Sequence, residues 1–253
     1  MSRRPPSERP RRAPTSASGA ALIYGAHAVR AALTARRRNL LALYATENAL
    51  PRIADLARES GLAPRVVDAR ELSRRLGEDA VHQGLLLEAG PLPECDIADI
   101  APRSGVVVVL DQVTDPHNVG AILRTAAAFD ADAIVLTERH SPEFRGVLAK
   151  AASGALECVP VVAVVNLARA LEHIATAGYA IVGLDSQGDA SLETAPLSKP
   201  LALVLGAEGK GLRRLTRERC DVVARLDMPG PIKSLNVSNA CAVALAVLRL
   251  RLG

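Results

Sequence analysis

Apolar and polar positions alternate along the chain in two rhythms. Short apolar runs bounded by Gly, Pro, Asn or Asp read as strands, and longer segments with apolar residues every three or four positions read as helices. Order begins near Leu22. The pattern then predicts a helix over Ala26–Arg36, a strand over Leu40–Thr46 and a helix over Pro51–Glu59. A short strand at Arg65–Val67, a helix over Ala69–Leu76 and a strand over Gly84–Ala89 complete a small α/β unit spanning 20–90. Gly90, Pro91, Pro93, Pro102, Ser104 and Gly105 mark a linker over 91–104. A second unit, 105–253, opens with Val106–Leu110, an unbroken apolar run that suits a strand buried on both faces. Helices are expected over Asn118–Phe129, Phe144–Lys150, Leu167–Ala177, Leu212–Arg219 and Val237–Leu250. Strands are expected at Ala133–Leu136, Val159–Val164, Tyr179–Leu184, Leu201–Leu205 and Val222–Leu226. Such alternation implies a parallel sheet covered on both faces by helices.

Composition narrows this picture. Hydrophobic residues make up 49% of the 253 residues, yet aromatics are 2% and Trp is absent, so the core is aliphatic. No apolar run approaches the roughly 18 residues of a membrane span. The Arg- and Pro-rich start has no apolar h-region of a secretory signal. A cytoplasmic protein without membrane contact is expected. Cys95, Cys158, Cys220 and Cys241 form no CxxC pair and are expected to be reduced and mostly buried. The five histidines show no HxxxH or HExxH spacing, so no metal site is expected. Charge is concentrated at the start. Residues 1–19 carry Arg3, Arg4, Arg9, Arg11 and Arg12 against Glu8, leaving 26 of the 31 basic and 26 of the 27 acidic residues to the neutral remainder. The segment reads as a disordered basic tail, either a salt-sensitive phosphate binder or a solvated leader.

Binding sites in parallel sheets form beyond the carboxyl ends of the strands. Three post-strand segments carry residues that packing alone does not require. The first runs Asp111-Gln112-Val113-Thr114-Asp115-Pro116-His117-Asn118-Val119-Gly120 and on to Arg124. Asn118 reads either as a helix N-cap or as a site residue, and Arg124 either as a surface side chain or as a functional cation. The second is Gly206-Ala207-Glu208-Gly209-Lys210-Gly211, whose GxxGxG order fits neither a Walker loop nor the GxGxxG fingerprint. The third, Leu226-Asp227-Met228-Pro229-Gly230-Pro231-Ile232-Lys233-Ser234-Leu235-Asn236, ends on a Ser-x-Asn pair opening an apolar helix, although capping needs only one of the two.

Together these segments resemble the three signature motifs of the SpoU/TrmH family, in the SPOUT class of RNA 2′-O-methyltransferases. Ser153-Gly154-Ala155 and Val159-Pro160 extend the resemblance between the motifs. Residues 22–90, with Ile23-Tyr24-Gly25 and Val81-His82-Gln83-Gly84, resemble more weakly the family's substrate-binding domain, similar to a ribosomal-protein fold. The resemblance is strongest to the bacterial branch that methylates a guanosine in 23S ribosomal RNA. It implies a C-terminal domain with a trefoil knot, a homodimer through the last helix, and S-adenosylmethionine as cofactor. Gly206, Leu226 and Leu235 are then expected to contact the cofactor, with Met228 nearby. Asn118, Arg124, Glu208, Ser234 and Asn236 are the expected catalytic set. Because guanidinium stays protonated, Arg124 is better placed as a stabiliser of the developing alkoxide than as a base. Glu208 is expected to orient Arg124 or the ribose. The chain departs from the family at Asp227, usually Pro, and at Phe129-Asp130, usually a small residue and Gly. Three rivals remain: a tRNA ribose methyltransferase, a non-catalytic ribosome-assembly or RNA-binding protein, and, more remotely, a nucleotide-binding oxidoreductase.

Overall fold

The computed structural model describes residues 20–100, 105–138 and 154–253. The basic tail, the helix expected over Phe144–Lys150 and Ser153 lie outside the described residues.

The first unit is a four-stranded mixed sheet in the order β1-β4-β2-β3, with β1 Ala21–Tyr24, β2 Leu40–Ala45, β3 Arg65–Val66 and β4 Leu85–Ala89. Helix α1 (Ala26–Ala35) and α2 (Ala54–Ser60) cover one face through Val29, Leu33, Leu43, Ile53 and Leu87. Helix α3 (Ala69–Leu76) covers the other through Leu72, Leu76, Tyr44 and Leu86. The expected helix over Pro51–Glu59 is in fact two pieces, a 3-10 turn at Leu50–Arg52 and then α2. Strand β1 is not predicted by the apolar pattern, because its four half-buried residues carry little periodic signal.

The second unit is a seven-stranded, wholly parallel sheet in the order β7-β6-β5-β10-β8-β11-β9. Its strands are β5 Val106–Asp111, β6 Ala133–Thr137, β7 Val161–Val164, β8 Ala180–Leu184, β9 Ala190–Ser191, β10 Leu201–Gly206 and β11 Val222–Arg225. Helices α4 (Pro116–Ala128) and α8 (Val237–Leu252) pack on each other and on one face. Helix α6 (Leu167–Thr176) covers the other. The short helices α5 (Ala155–Cys158) and α7 (Arg214–Arg217) complete the set. Strands β5 and β10 are neighbours, with Val106 opposite Leu201 and Asp111 opposite Gly206. From β5 the chain winds outward to β6 and β7 on one side, and β8 lies on the other side of β10. The β5/β10 boundary is therefore the switch point where a crevice opens at the carboxyl ends.

Within the expected linker, Asp96 and Asp99 form a capping box, and Cys95, Ile97 and Ile100 pack against the α6 face. One expectation needs correction. The cysteines are all free but not mostly buried. Only Cys241 is buried, Cys95 and Cys220 are intermediate, and Cys158 is exposed at the end of α5.

Candidate functional site

The cleft lies beside that switch point, beyond the carboxyl ends of β8, β10 and β11, and is built by the segments that follow them. Strand β10 ends in Gly206, where a Cβ would fall 2.3 Å from the carbonyl carbon of Gly211. Only glycine lets the loop fold back this tightly, and Gly211 N donates to Ala207 O at 2.9 Å to close it. Gly211 itself takes a positive φ of 64° beside Asp185. Past the loop, the buried carboxylate of Asp111 accepts from Arg213 N at 3.0 Å and Arg213 Nε at 2.5 Å. The ends of β5 and β10 are thereby bound to each other.

Glu208, at the tip of this loop, joins the three segments. Its Oε1 accepts from Asn118 Nδ2 at 3.1 Å, Asn236 Nδ2 at 2.6 Å and Val237 N at 3.3 Å. Asn236 Nδ2 also donates to Asn118 Oδ1 at 2.9 Å. Asn118 is not the cap of its helix. Asp115 takes that role by accepting from His117 N, Pro116 occupies the first turn, and Asn118 lies inside α4 at 8% exposure. Asn236 is the N-cap of α8, its Oδ1 accepting from Ser238 N.

The cleft encloses about 660 Å³. Gly206, Leu226, Met228 and Leu235, the residues expected to touch a cofactor, all line it, as do Glu208, Ser234 and Asn236. It combines apolar walls from Leu205, Leu226 and Leu235 with main-chain groups of the glycine loop. Apolar walls with a few convergent polar groups are the makeup of a small-molecule or cofactor site. Leu184–Gln187, directly after β8, line it too. None of these is among the site residues expected from the sequence, although the strand-end position that marks the other segments applies to Asp185-Ser186-Gln187 equally.

Arg124 stands apart. It is exposed on α4, does not line the cleft, and makes no hydrogen bond or ion pair among the described residues. Six helical positions rotate it by roughly 240° and lift it about 9 Å from Asn118. The expected contact with Glu208 is therefore not formed, and Glu208 instead holds Asn118 and Asn236. Of the two departures, Asp227 pairs with Arg225 Nε at 3.0 Å beside the cleft, and Asp130 takes the left-handed conformation (φ 52°) just past α4.

Family models match both units: the SpoU rRNA Methylase family over residues 105–246, and RNA 2′-O ribose methyltransferase substrate binding over residues 22–95. The chain is 40% identical over 238 residues to the 23S rRNA (guanosine-2′-O-)-methyltransferase RlmB of Pseudomonas aeruginosa, covering 90% of this chain and 96% of that protein. It also resembles the SpoU methyltransferase AviRb of Streptomyces viridochromogenes solved with AdoMet, with a TM-score of 0.73 at 24% identity over 92% of this chain and 91% of that one. A structure described as giving insight into 2-OH methylation of C/U34 on tRNA, 28% identical with a TM-score of 0.51, covers 56% of this chain and 91% of that one.

Proposed function

The chain belongs to the SpoU rRNA methylase family, and from that membership we infer that it transfers a methyl group from S-adenosylmethionine to the ribose 2′-hydroxyl of a guanosine in 23S ribosomal RNA. The observation that carries this reading is the junction at Glu208. Three segments far apart in sequence meet through polar side chains at the mouth of a cofactor-sized cleft.

When bound, S-adenosylmethionine supplies an electrophilic methyl group. Gly206, Leu226, Leu235 and Met228 would hold it through main-chain and apolar contacts. Glu208 and Asn236 fix the loop edges, so the acceptor ribose meets a preorganised surface. Ser234 lines the cleft without a hydrogen-bond partner among the described residues, which leaves its hydroxyl for the nucleotide. The guanidinium of Arg124, exposed and unpaired among the described residues, would meet the RNA outside the cleft and stabilise the oxyanion that develops on the 2′-oxygen. A phosphate of the RNA or a water takes the proton, because guanidinium does not give up its own.

Residues 20–90 would bind RNA and residues 105–253 carry out the transfer. A second copy of the chain covers the outer face of α8, where Val243 and Leu250 form an exposed apolar stripe with Leu250 87% exposed. Among the described residues no helix is long and apolar enough to cross a membrane. The cytoplasm is where such an enzyme meets ribosomal RNA.

The test is to map 2′-O-methyl groups in ribosomal RNA from cells with and without the protein. One guanosine in 23S RNA loses its methyl group when the protein is absent. Loss from tRNA instead would favour the tRNA reading, and failure to bind S-adenosylmethionine by calorimetry would favour a non-catalytic role.

A further inference from the structure

Arg38 and Glu157 form a buried ion pair between the two units. Their side chains are 10% and 4% exposed. Arg38 Nε lies 3.0 and 2.9 Å from the two carboxylate oxygens, Nη2 lies 2.9 Å from Oε1, and Nη1 donates to Gly90 O at 3.0 Å. The planar guanidinium thus fixes direction as well as charge. Beside it Arg37 Nη1 donates to Leu156 O at 3.3 Å. Gly154 packs so closely on α1 that a Cβ would lie 3.0 Å from Ala28 Cα and 2.9 Å from Ala31 Cβ. Glu157 belongs to α5, and Leu156 of α5 packs into the core that also holds Val119, Ile122 and Leu123 of α4. Helix α4 carries Asn118 and Arg124.

Resting on the methyltransferase reading above, we propose that Arg38 and Glu157 are positioning residues that clamp the RNA-binding unit onto α4. The clamp makes the two units one rigid ruler. RNA held by the first unit then delivers its target ribose at a set distance from Arg124, so the substrate is a folded RNA element long enough to touch both units. A desolvated pair suits this role because removing one partner leaves the other charge buried and unpaired.

The experiment uses the full chain with two separate variants. Arg38→Ala breaks the pair, and Ala31→Arg wedges the α1–Gly154 contact without entering either core. Methyl transfer to 23S RNA, S-adenosylmethionine affinity and small-angle scattering are measured for each. In both variants kcat/KM for RNA falls about tenfold or more, mainly through KM, since small misplacement of a reacting group is costly. Cofactor affinity stays within about twofold, because the cleft is untouched, and the radius of gyration grows. A folded Ala31→Arg protein with wild-type KM for RNA and wild-type scattering overturns the clamp. A wild-type protein without methyl transfer would instead sink the functional reading, and scattering would still report on the clamp.

Discussion

Asn118 Oδ1 accepts a hydrogen bond from Asn236 Nδ2 at 2.9 Å, across 118 positions of sequence. One residue lies in the first turn of α4 and the other caps α8, so two helix N-termini converge on a single point. The Glu208 carboxylate sits between them. A negative charge there is favoured by the unpaired N–H groups and by the dipoles of both helices. This explains why the loop tip carries Glu rather than a neutral residue, and it makes the junction a structural device as well as part of the site.

Replacing Glu208 therefore affects folding and catalysis together. Glu208→Ala leaves Asn118 Nδ2, Asn236 Nδ2 and Val237 N without their shared acceptor. It should lower stability by about 1–3 kcal/mol, the scale for hydrogen bonds to a charged group. Glu208→Gln keeps an oxygen in place and should lose less. Thermal unfolding orders the variants, with wild type highest and alanine lowest. Equal melting temperatures would show that the junction does not contribute to stability.

The parallel sheet was legible in the sequence because its strands are unbroken aliphatic runs such as Val106–Leu110, and because a helix such as α6 repeats its buried positions at Leu167, Ala170, Leu171 and Ile174. The strand ends that carry chemistry were legible for the same reason. What the pattern hides is three-dimensional pairing. Nothing local to Glu208 says that it meets Asn118 rather than Arg124, because this depends on how far α4 turns past its own cap. The cap is left open by the sequence, since Asp115-Pro116 and Asn118 are both good starting signals and only one can serve; Asp115 takes the role. Arg38–Glu157 has no signal at all, as it joins two units through side chains 119 positions apart. The knot implied by the family resemblance is likewise a property of threading, which the order of strands and helices does not encode.

Arg124 has the opposite profile to Glu208. It is exposed and unpaired among the described residues, so Arg124→Ala should leave the melting temperature nearly unchanged. Its loss should slow methyl transfer by about 10²–10³-fold, the cost of removing a donor to a developing oxyanion. Calorimetry should give cofactor affinity within about twofold of wild type. Turnover near wild type in a tritiated-methyl assay would remove Arg124 from the mechanism.

Gly206 tests the cofactor loop. A Cβ there would overlap the backbone of Gly211 at 2.3 Å and its oxygen at 2.4 Å, so the loop must open to accept it. Gly206→Ala should weaken S-adenosylmethionine binding by about tenfold or more, corresponding to at least about 1.4 kcal/mol. The strand before it is buried and regular, so the fold should survive. Gly230 is a control, because nothing lies within 4 Å of a Cβ at that position. If Gly206→Ala binds cofactor as well as Gly230→Ala does, the cleft is not the cofactor site.

The thiols should react in an order set by exposure and charge. Cys158 is exposed, although partial burial and the Glu157 carboxylate push its pKa up. Cys241 is buried in α8, and burial drives its pKa to about 12. A raised thiol pKa means less thiolate at neutral pH, so native labelling is slow at Cys158 and slower still at Cys241. Mass spectrometry of protein treated with iodoacetamide at pH 8 should find Cys158 modified before Cys241. Full modification of Cys241 in the native protein would contradict the packing of α8 on α4.

The outer face of α8 supplies the last test. Val243 and Leu250 are seven positions apart, two helical turns, so they share one side of the helix. Cys241, Ala244, Leu245 and Leu248 are already buried against the chain's own core, so α8 is apolar on more sides than one subunit can cover. In a monomer, Val243→Glu and Leu250→Glu are surface changes expected to move stability by no more than about 0.5 kcal/mol each. In a dimer built on this face, the same two changes bring like charges into a dry interface and force the subunits apart. Sedimentation equilibrium should therefore find the wild type as a dimer and the double variant as a folded monomer. A wild type that is already monomeric at assay concentrations would leave α8 as a solvent-facing helix and remove the second copy from the proposal.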